Sequence, residues 1–431
     1  KYQGIYKTTD LGDIWKLILT AQRAYPQGEG VGRIGIAAYD AKTIYAIVDN
    51  QERRPRESKV KQALAKQDFE SMSLEGFFSV DQKLLTEFLE ENNFPKEQTA
   101  KSIRTAVKNG KLKPSDLALY LSDANSDLFD TPVVGAQVFR SDDAGRTWVK
   151  THKSYLDDLY YSYGYYFGMI HVTPTDPNRI YIYGVPMLTS FDGGQAFESI
   201  DAPNAHVDHH ALWINPNNPE HLINGNDGGV NISYDGGQNW IKNNQPSVGQ
   251  FYTVYADQQT PYHVYGGLQD NGVWEAPHTS RESVAWHQYG HNNWTGVMGG
   301  DGMQIQVDQD NADIVYTGYQ FGNYFRINRE TNKRTNIQPK HKLGEAPLRF
   351  NWQTPILLSP HNNDILYLGS NKLHRSLNRG DDYITISKDL TSGGKKGNVP
   401  YGTLTAIDES RFEFGTLVVG SDDGYIHVSS D

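Results

Sequence analysis

The chain has 431 residues, a formal net charge of −11, no cysteine, 41 glycines and 27 tyrosines. The absence of cysteine excludes disulfide frameworks, thiolate-bound zinc, iron–sulfur clusters and a cysteine nucleophile. The acidic balance argues against nucleic acid as the main partner, because phosphate binding needs a basic surface. No apolar run reaches the ~18 residues of a transmembrane segment.

Short predicted strands follow one another along most of the chain. The segments TIYAIVD (43–49), AQVFRS (136–141), HHALWINP (209–216) and HLINGN (221–226) alternate or run apolar, and they end near Asp, Asn, Pro or Gly. This pattern is typical of strands that are joined by tight turns. The abundance of Gly, Tyr and Trp also favours strands over a helical bundle, in which Ala, Leu, Glu and Lys would dominate.

Residues 51–132 interrupt the strand pattern. Three segments, 81–92, 96–109 and 114–123, place apolar residues at helical spacing. Pro114 suits the first position of a helix, and Gly110 suits a helix C-terminus. The sequence therefore predicts a mainly helical insertion between the strands at 43–49 and 136–141.

One short pattern, Ser/Thr-x-Asp-x-Gly-x-x-Trp, recurs along the chain. Its copies begin at Thr8, Ser141, Ser190 and Ser233, with a degenerate copy at Ser376 and a truncated one at Ser429. Three consecutive acidic positions are 49 and 43 residues apart, and about seven such periods fit the sequence. Repeats of this length are typical of propeller blades. We therefore predict an all-β fold, a β-propeller of about seven four-stranded blades formed by residues 1–50 and 133–431. Residues 51–132 would then occupy a second-to-third strand loop of the first full blade.

The repeated pattern resembles the Asp-box, or bacterial neuraminidase repeat, of sialidases, sortilin-type receptors and two-propeller xyloglucanases. Four longer segments, 206–240, 266–274, 299–303 and 349–369, are similar to large bacterial secreted proteins with a sortilin-type N-terminal propeller, usually described as glycosyl-hydrolase-like. The chain departs from the other families. It lacks the early Arg-Ile-Pro motif of sialidases and the cysteine-rich tail of sortilin receptors, and neither catalytic acid of the xyloglucanases aligns with a position here.

Blade topology predicts where binding residues lie. The loops that lead into first strands and the second-to-third strand loops share one end of a blade and surround the central channel, whereas the repeated pattern forms a turn at the other end. Side chains in such loops on a rigid scaffold are candidates for binding. The predicted binding funnel comprises Arg33, Tyr166, Asp208, His209, His210, Asn226, Gln250, Asn271, Arg349, Asn351 and Trp352. Aromatic, carboxylate and amide groups of this kind suit sugars, whose rings stack while their hydroxyls are hydrogen-bonded.

Three funnel carboxylates are candidate catalytic acids: Asp227, Asp270 and Asp301. An inverting glycosidase needs two carboxyls roughly 6.5–9.5 Å apart. The Asp-Gly pairs at Asp227, Asp301 and Asp423 also suit turns, so turn formation is the alternative role for these acids. No cofactor and no metal site is predicted; calcium, rather than zinc, is the ion that these oxygen-rich loops would favour.

His209 and His210 should point to opposite faces of a strand. Four roles remain open for these two histidines: a structural hydrogen-bond network, ligand binding, metal binding and acid–base catalysis.

Two functions remain open. The first is a secreted or cell-surface binding module that recognises a glycan or a protein segment at the funnel. The second is a glycoside hydrolase of the xyloglucanase-like, inverting type, so the sequence leaves open whether the chain is an enzyme. Many turn-forming acids and no motif that requires catalysis favour the first. We expect a location outside a bacterial cell or on its outer-membrane surface, with a glycan or a protein or peptide as ligand, and further domains of the same chain or a surface complex as partners.

Overall fold

The computed structural model describes residues 4–18, 26, 28–54, 63–243, 249–285, 293–395, 397 and 399–429. These residues form two compact units. The first contains residues 1–56 and 128–248, and the second contains residues 57–127 and 249–431. Each unit is described by itself.

The first unit consists of antiparallel sheets whose strands pair in chain order. A two-stranded ribbon comes first, followed by three four-stranded sheets, β3–β6, β7–β10 and β11–β14. Their bounds are β1 (Tyr6–Lys7), β2 (Lys16–Leu17), β3 (Val31–Ala38), β4 (Ile44–Arg53), β5 (Val133–Ser141), β6 (Val149–Lys150), β7 (Met169–Val172), β8 (Ile180–Tyr183), β9 (Met187–Ser190), β10 (Glu198–Ser199), β11 (His209–Ile214), β12 (Leu222–Asn226), β13 (Gly229–Ser233) and β14 (Ile241–Asn243). The first strand β7 contacts both β3 and β11, so the first strands of successive sheets are neighbours.

The second unit repeats this plan in three four-stranded sheets, β15–β18, β19–β22 and β23–β26, and in the three-stranded sheet β27–β29. Their bounds are β15 (Phe251–Ala256), β16 (His263–Leu268), β17 (Gly272–Pro277), β18 (Thr295–Met298), β19 (Gln306–Val307), β20 (Ile314–Tyr319), β21 (Asn323–Asn328), β22 (Lys333–Asn336), β23 (Ile356–Leu358), β24 (Leu366–Gly369), β25 (Leu373–Ser376), β26 (Ile384–Thr385), β27 (Leu404–Glu409), β28 (Leu417–Ser421) and β29 (Ile426–Ser429). Successive four-stranded antiparallel meanders are the blades of an all-β propeller, and the predicted fold class is confirmed.

The helices lie between β4 and β5. They are α1 (Lys66–Glu70), α2 (Leu74–Ser79), α3 (Gln82–Glu91), α4 (Ala100–Lys108), α5 (Ser115–Tyr120) and α6 (Ala124–Asp130). A buried cluster that includes Phe69, Phe77, Phe88 and Ile103 holds the helices of the second unit together. None of the helices among the described residues combines the length and the apolar character that crossing a membrane requires.

Helix α4 begins later than the apolar spacing predicts. The predicted segment starts at residue 96, whereas the helix starts at Ala100 because Thr99 caps it, with its hydroxyl accepting a hydrogen bond from the Ser102 amide at 3.1 Å. A hydroxyl in this position satisfies an amide that has no partner within the helix.

The repeated pattern forms the same turn in five places, called box turns here: Thr8–Trp15, Ser141–Trp148, Ser190–Phe197, Ser233–Trp240 and Ser376–Tyr383. In each turn the first hydroxyl donates to the Asp or Asn side chain two residues later, at 2.6–2.9 Å. The glycine amide donates to that hydroxyl at 2.8–3.0 Å. The amide six residues after the hydroxyl donates to the same Asp or Asn side chain at 2.8–3.0 Å. The residues of the repeated pattern thus have a constant spacing because one hydrogen-bond network requires them at these positions. The truncated copy at 429–431 extends beyond the described residues.

Replacing Ser233 by alanine tests the contribution of this network. The Ser233 hydroxyl is buried and accepts from the Gly237 amide at 2.9 Å, so its loss leaves a buried amide unpaired. We expect the free energy of unfolding to fall by about 1–2 kcal/mol, measured by guanidinium denaturation. Ser199→Ala is the control, because the Ser199 hydroxyl makes a similar contact with Asp201 in an exposed position, and it should change stability by less than about 0.5 kcal/mol. Equal losses in both variants would contradict this role of the box turn.

Candidate functional site

The register of the strands shows which loops lie together. His209 at the start of β11 pairs with Asn226 at the end of β12, so the loop into β11 and the β12–β13 turn lie at the same end of their sheet. The box turn Ser233–Trp240 joins β13 to β14 at the other end. In the sheet β7–β10, Met169 pairs with Tyr183 in the same way. We call the first of these two ends the loop end of a sheet.

A polar and aromatic cluster lies at the loop ends of the sheets β7–β10 and β11–β14 in the first unit. The Nε2 atom of His210 lies 2.9 Å from Oδ1 of Asp227. The His210 ring stacks on Phe167, with ring centroids 5.8 Å apart, and meets the Tyr166 ring edge to face at 5.5 Å. Tyr166 is 57% exposed. The cluster therefore presents an aromatic surface beside a carboxylate that a histidine holds in place.

Asp208 lies next to this cluster in an unusual backbone conformation. Its φ is +61°, and its amide donates to the Val185 carbonyl at 3.0 Å. Burial, together with the negative charge of Asp227, raises the pKa of Asp208 to about 6, although the neighbouring histidines act in the opposite direction. Two carboxyls that interact electrostatically thus share this surface.

Arg33 connects the first strand β3 to the same surface. Its side chain is exposed, and its Nη1 atom donates to the Tyr166 carbonyl at 2.8 Å. The guanidinium therefore supports the backbone that carries Tyr166 and adds a cation at the edge of the cluster.

The structure buries His209 within its sheet and leaves Asn226 half-buried. Nδ1 of His209 is 2.8 Å from the Asn224 side-chain oxygen, and its Nε2 is 3.3 Å from Oδ1 of Asp201. The Asn226 amide donates to the side chains of Asn224 and Asn231, both at 2.9 Å. His209 and His210 thus point to opposite faces, and only His210 reaches the surface.

The sequence analysis missed a buried acid beneath this loop end. Asp49 on β4 has no solvent exposure, and burial raises its pKa to about 6. Its Oδ1 accepts from the Gln51 side chain at 2.5 Å, while its Oδ2 and the buried Tyr160 hydroxyl have no hydrogen-bond partner within the described parts of the chain. A Cβ added to Gly164 would lie 2.0 Å from Oδ1, so only glycine allows this loop to cover the carboxylate. The segment reads as a strand that ends at Asp-Asn, which predicts a turn rather than a buried charge.

The second unit brings two predicted acids and a predicted aromatic residue together. The Asp270 amide donates to Oδ1 of Asp301 at 3.0 Å. The Trp352 indole donates to the Tyr252 hydroxyl at 3.0 Å. Burial, with added effects of the Asp301 and Asp270 charges, raises the pKa of Tyr252 to about 12. Asp301 thus helps to fix the backbone of Asp270.

Arg349, an arginine of the predicted binding funnel, makes hydrogen bonds with other residues of the second unit. Arg349 contacts Asp389 at 2.8 Å and Thr391 at 3.0 Å, and its Nε donates to the Gly402 carbonyl at 3.1 Å. This set of partners matches what is expected of a side chain that holds loops together.

The predicted amides of the second unit are also hydrogen-bonded. Asn351 donates to the Thr403 hydroxyl at 2.9 Å, and Asn271 donates to the Gln269 carbonyl at 3.0 Å. For Gln250 the contact is between main-chain groups: its carbonyl accepts from the main-chain amide of Gln269 at 2.9 Å.

The three candidate catalytic acids fall in different units. Asp227 belongs to the first unit, whereas Asp270 and Asp301 belong to the second. Within the first unit, the carboxyl that interacts with Asp227 is that of Asp208, which the sequence analysis assigned to binding. No group of three or more His, Asp or Glu side chains in the described part of the chain is placed to hold a metal ion.

No protein-family model and no curated protein sequence matches this chain. Among solved structures, it is similar to YCF48 bound to a D1 peptide, at 13% identity and a TM-score of 0.29, over 69% of this chain and 89% of that one. It is also similar to the WD40 β-propeller domain of Doa1, at 12% identity and a TM-score of 0.28, over 69% of this chain and 86% of that one. A further similar structure is a GH74 xyloglucanase from Xanthomonas campestris, at 13% identity and a TM-score of 0.21, over 69% of this chain. The chain spans 41% of the length of that xyloglucanase.

Proposed function

We propose that this chain is a secreted or cell-surface β-propeller binding module that recognises a glycan or a protein segment. The proposed binding surface is the cluster at the loop ends of the sheets β7–β10 and β11–β14 in the first unit. The observation that carries the proposal is the exposed Tyr166 ring beside the His210–Asp227 pair. Exposed aromatic side chains on a rigid scaffold are the usual anchors of recognition surfaces.

The chemistry of this surface suits a polar ligand with one flat apolar face. Tyr166 offers a ring on which a sugar or an aromatic side chain can stack. Asp227 accepts hydrogen bonds and is held by His210, so little conformational freedom is lost when a ligand binds. Asp208 and Arg33 add an acceptor and a cation at the margins, which gives the surface polar groups of both signs.

The test is a binding measurement with single-residue variants. Screening of glycan arrays and peptide libraries identifies a ligand, and calorimetry then measures its affinity. We expect Tyr166→Ala to weaken binding at least tenfold, or about 1.4 kcal/mol, because truncation of a central aromatic anchor commonly costs 1–2 kcal/mol or more. Asp227→Asn should weaken it severalfold, because the side-chain amide replaces one acceptor oxygen by a donor nitrogen.

Tyr234→Ala is the matched control. Tyr234 is also a largely exposed tyrosine of the first unit, but it belongs to a box turn and stacks on His221 with ring centroids 4.6 Å apart. Its loss should leave the affinity unchanged. If Tyr234→Ala weakened binding while Tyr166→Ala did not, the ligand would bind at the other end of the sheet and the proposed surface would be wrong.

A second candidate function is glycoside hydrolysis, favoured by the two interacting carboxyls. Burial raises the pKa of Asp208 to about 6, which suits a proton donor, and Asp227 is the second carboxyl beside it, as two-carboxylate hydrolases require. Release of reducing ends from xyloglucan and other glycans tests it. A hydrolase of this kind should lose activity in both Asp208→Asn and Asp227→Asn, and its rate should fall as pH rises above about 6. Unchanged turnover in the two variants would exclude these acids.

A further inference from the structure

The third and fourth strands of one sheet in the second unit are not joined by a box turn. In the sheet β11–β14 the connection is residues 234–240, whereas the connection between β17 and β18 runs from 278 to 294. A cavity of about 270 Å³ lies where this longer connection leaves β17. Val264, Ala276 and Pro277 supply its apolar lining.

The orientation of the His278 ring, which lines the cavity, is fixed by two contacts. The His278 ring stacks on Tyr262, with ring centroids 4.0 Å apart and planes at 10°. Nδ1 of His278 is 3.1 Å from the Tyr262 carbonyl, which fixes the ring orientation. Trp294 also lines the cavity. The site therefore has flat surfaces against which a planar group can lie.

Two polar groups of the cavity have no partner among the residues that the structure describes. Arg281 is exposed, and its guanidinium forms no ion pair or hydrogen bond with any residue of the described chain. The Ser280 hydroxyl is buried and likewise lacks a hydrogen-bond partner. A cation and a hydroxyl beside apolar walls are complementary to a carboxylate on an apolar body, since guanidinium groups bind carboxylates in a fork-like geometry.

We propose that this cavity binds a small molecule that carries a carboxylate on a flat apolar group, such as an aromatic carboxylate. The volume lies slightly below the ~300–1,000 Å³ of drug-sized ligand sites, which fits an occupant of about one or two rings. The site lies at the end of its sheet opposite the loop end, because the β17–β18 connection follows the last residue of β17. It is independent of the function proposed for the first unit.

The experiment titrates the full chain with benzoate by calorimetry, with benzamide as the neutral analogue. We expect benzoate to bind at least fivefold more tightly than benzamide, and we expect Arg281→Gln to remove this difference. Ser280→Ala should weaken benzoate binding severalfold. Arg411→Gln is the control, because Arg411 is also exposed and has no partner among the described residues, and it should leave the affinity unchanged.

Three results would overturn the proposal. One is the absence of benzoate binding up to about 10 mM, the weak end expected for a ligand with so few atoms. Another is equal affinity of the natural chain for benzoate and benzamide, or equal affinity of the natural chain and the Arg281→Gln variant for benzoate. The third comes from a peptide with a C-terminal phenylalanine. If its free carboxylate form bound at least tenfold more tightly than benzoate while its amide did not bind, the natural occupant would be a protein C-terminus rather than a small molecule.

Discussion

Replacing Trp240 by alanine is expected to lower the free energy of unfolding by about 3–5 kcal/mol, the usual range for removing a buried tryptophan. Trp240 closes the box turn Ser233–Trp240 and is only 6% exposed. It packs in a cluster that includes Tyr181, Tyr183 and Leu222, so it joins the sheet β7–β10 to the sheet β11–β14. Its indole also donates to the Ile200 carbonyl at 2.8 Å. The substitution therefore removes packing between two sheets and leaves a partly buried carbonyl without this donor.

The chain contains a matched control for this prediction. Trp15 occupies the same position of the box turn Thr8–Trp15, but it is 59% exposed. Trp15→Ala should change stability by less than about 0.5 kcal/mol. Both variants are compared by guanidinium denaturation followed by far-UV circular dichroism, which does not depend on tryptophan fluorescence. A similar loss in both would mean that the tryptophan stabilises the turn itself, and the packing between sheets would not be the cause.

The fold could be predicted because its information is local and repeated. The box turn needs a hydroxyl, a carboxylate or amide, and a glycine at fixed spacing, and all of its hydrogen bonds lie within eight residues. The strands around it are short and bounded by turn residues, so their number and order follow from the same signals. The short helices α1, α2 and α6 lie outside the three predicted helical segments, because five to seven residues alone show little helical period. Helix α5 is equally short, but it lies in the predicted segment 114–123, which begins at Pro114.

The candidate site was predictable only in part, because hydrogen bonds between distant segments decide the role of each polar side chain. Arg33 and Arg349 look alike in the sequence. In the structure Arg349 is held by Asp389, 40 residues away, whereas Arg33 stays exposed at the edge of an aromatic surface. The pairing of His210 with Asp227 likewise depends on the register of β11 and β12. Nothing in the local sequence separates these cases.

Asp49 shows the same limit most clearly, since it looks like a turn residue and is completely buried. The loop that covers it carries Gly164 and follows the helical insertion in sequence, and no described residue is hydrogen-bonded to the neighbouring Tyr160 hydroxyl. A carboxylate in this setting is unfavourable when ionised, because burial removes its hydration and, of the residues that the structure describes, only Gln51 donates a hydrogen bond to it.

Replacing Asp49 by asparagine is therefore expected to stabilise the protein at pH 7.5 and to have little effect at pH 4. The pKa of Asp49 is raised from 3.8 to about 6 on folding, so the folded state holds the proton more tightly than the unfolded state. The stability that this group contributes is fully present below about pH 4 and is lost as pH rises through about 6. A shift of this size corresponds to about 3 kcal/mol. Asparagine keeps the shape without the charge, so the gain of the variant over the natural chain should grow by about 2–3 kcal/mol between pH 4 and pH 7.5.

The opposite sign is expected for Asp143, which makes Asp143→Asn the control. Hydrogen bonds from the Thr147 amide and hydroxyl lower the pKa of Asp143 to about 2, so its contribution to stability is present above about pH 4 and is lost as pH falls through about 2. Asp143→Asn should therefore destabilise the protein at pH 7.5, and less so at the lowest pH at which the chain stays folded. Denaturation curves at a series of pH values measure both variants. A pH-independent effect of Asp49→Asn would show that the buried carboxyl keeps one protonation state from pH 4 to 7.5, and that the loop with Gly164 covers it without an electrostatic cost.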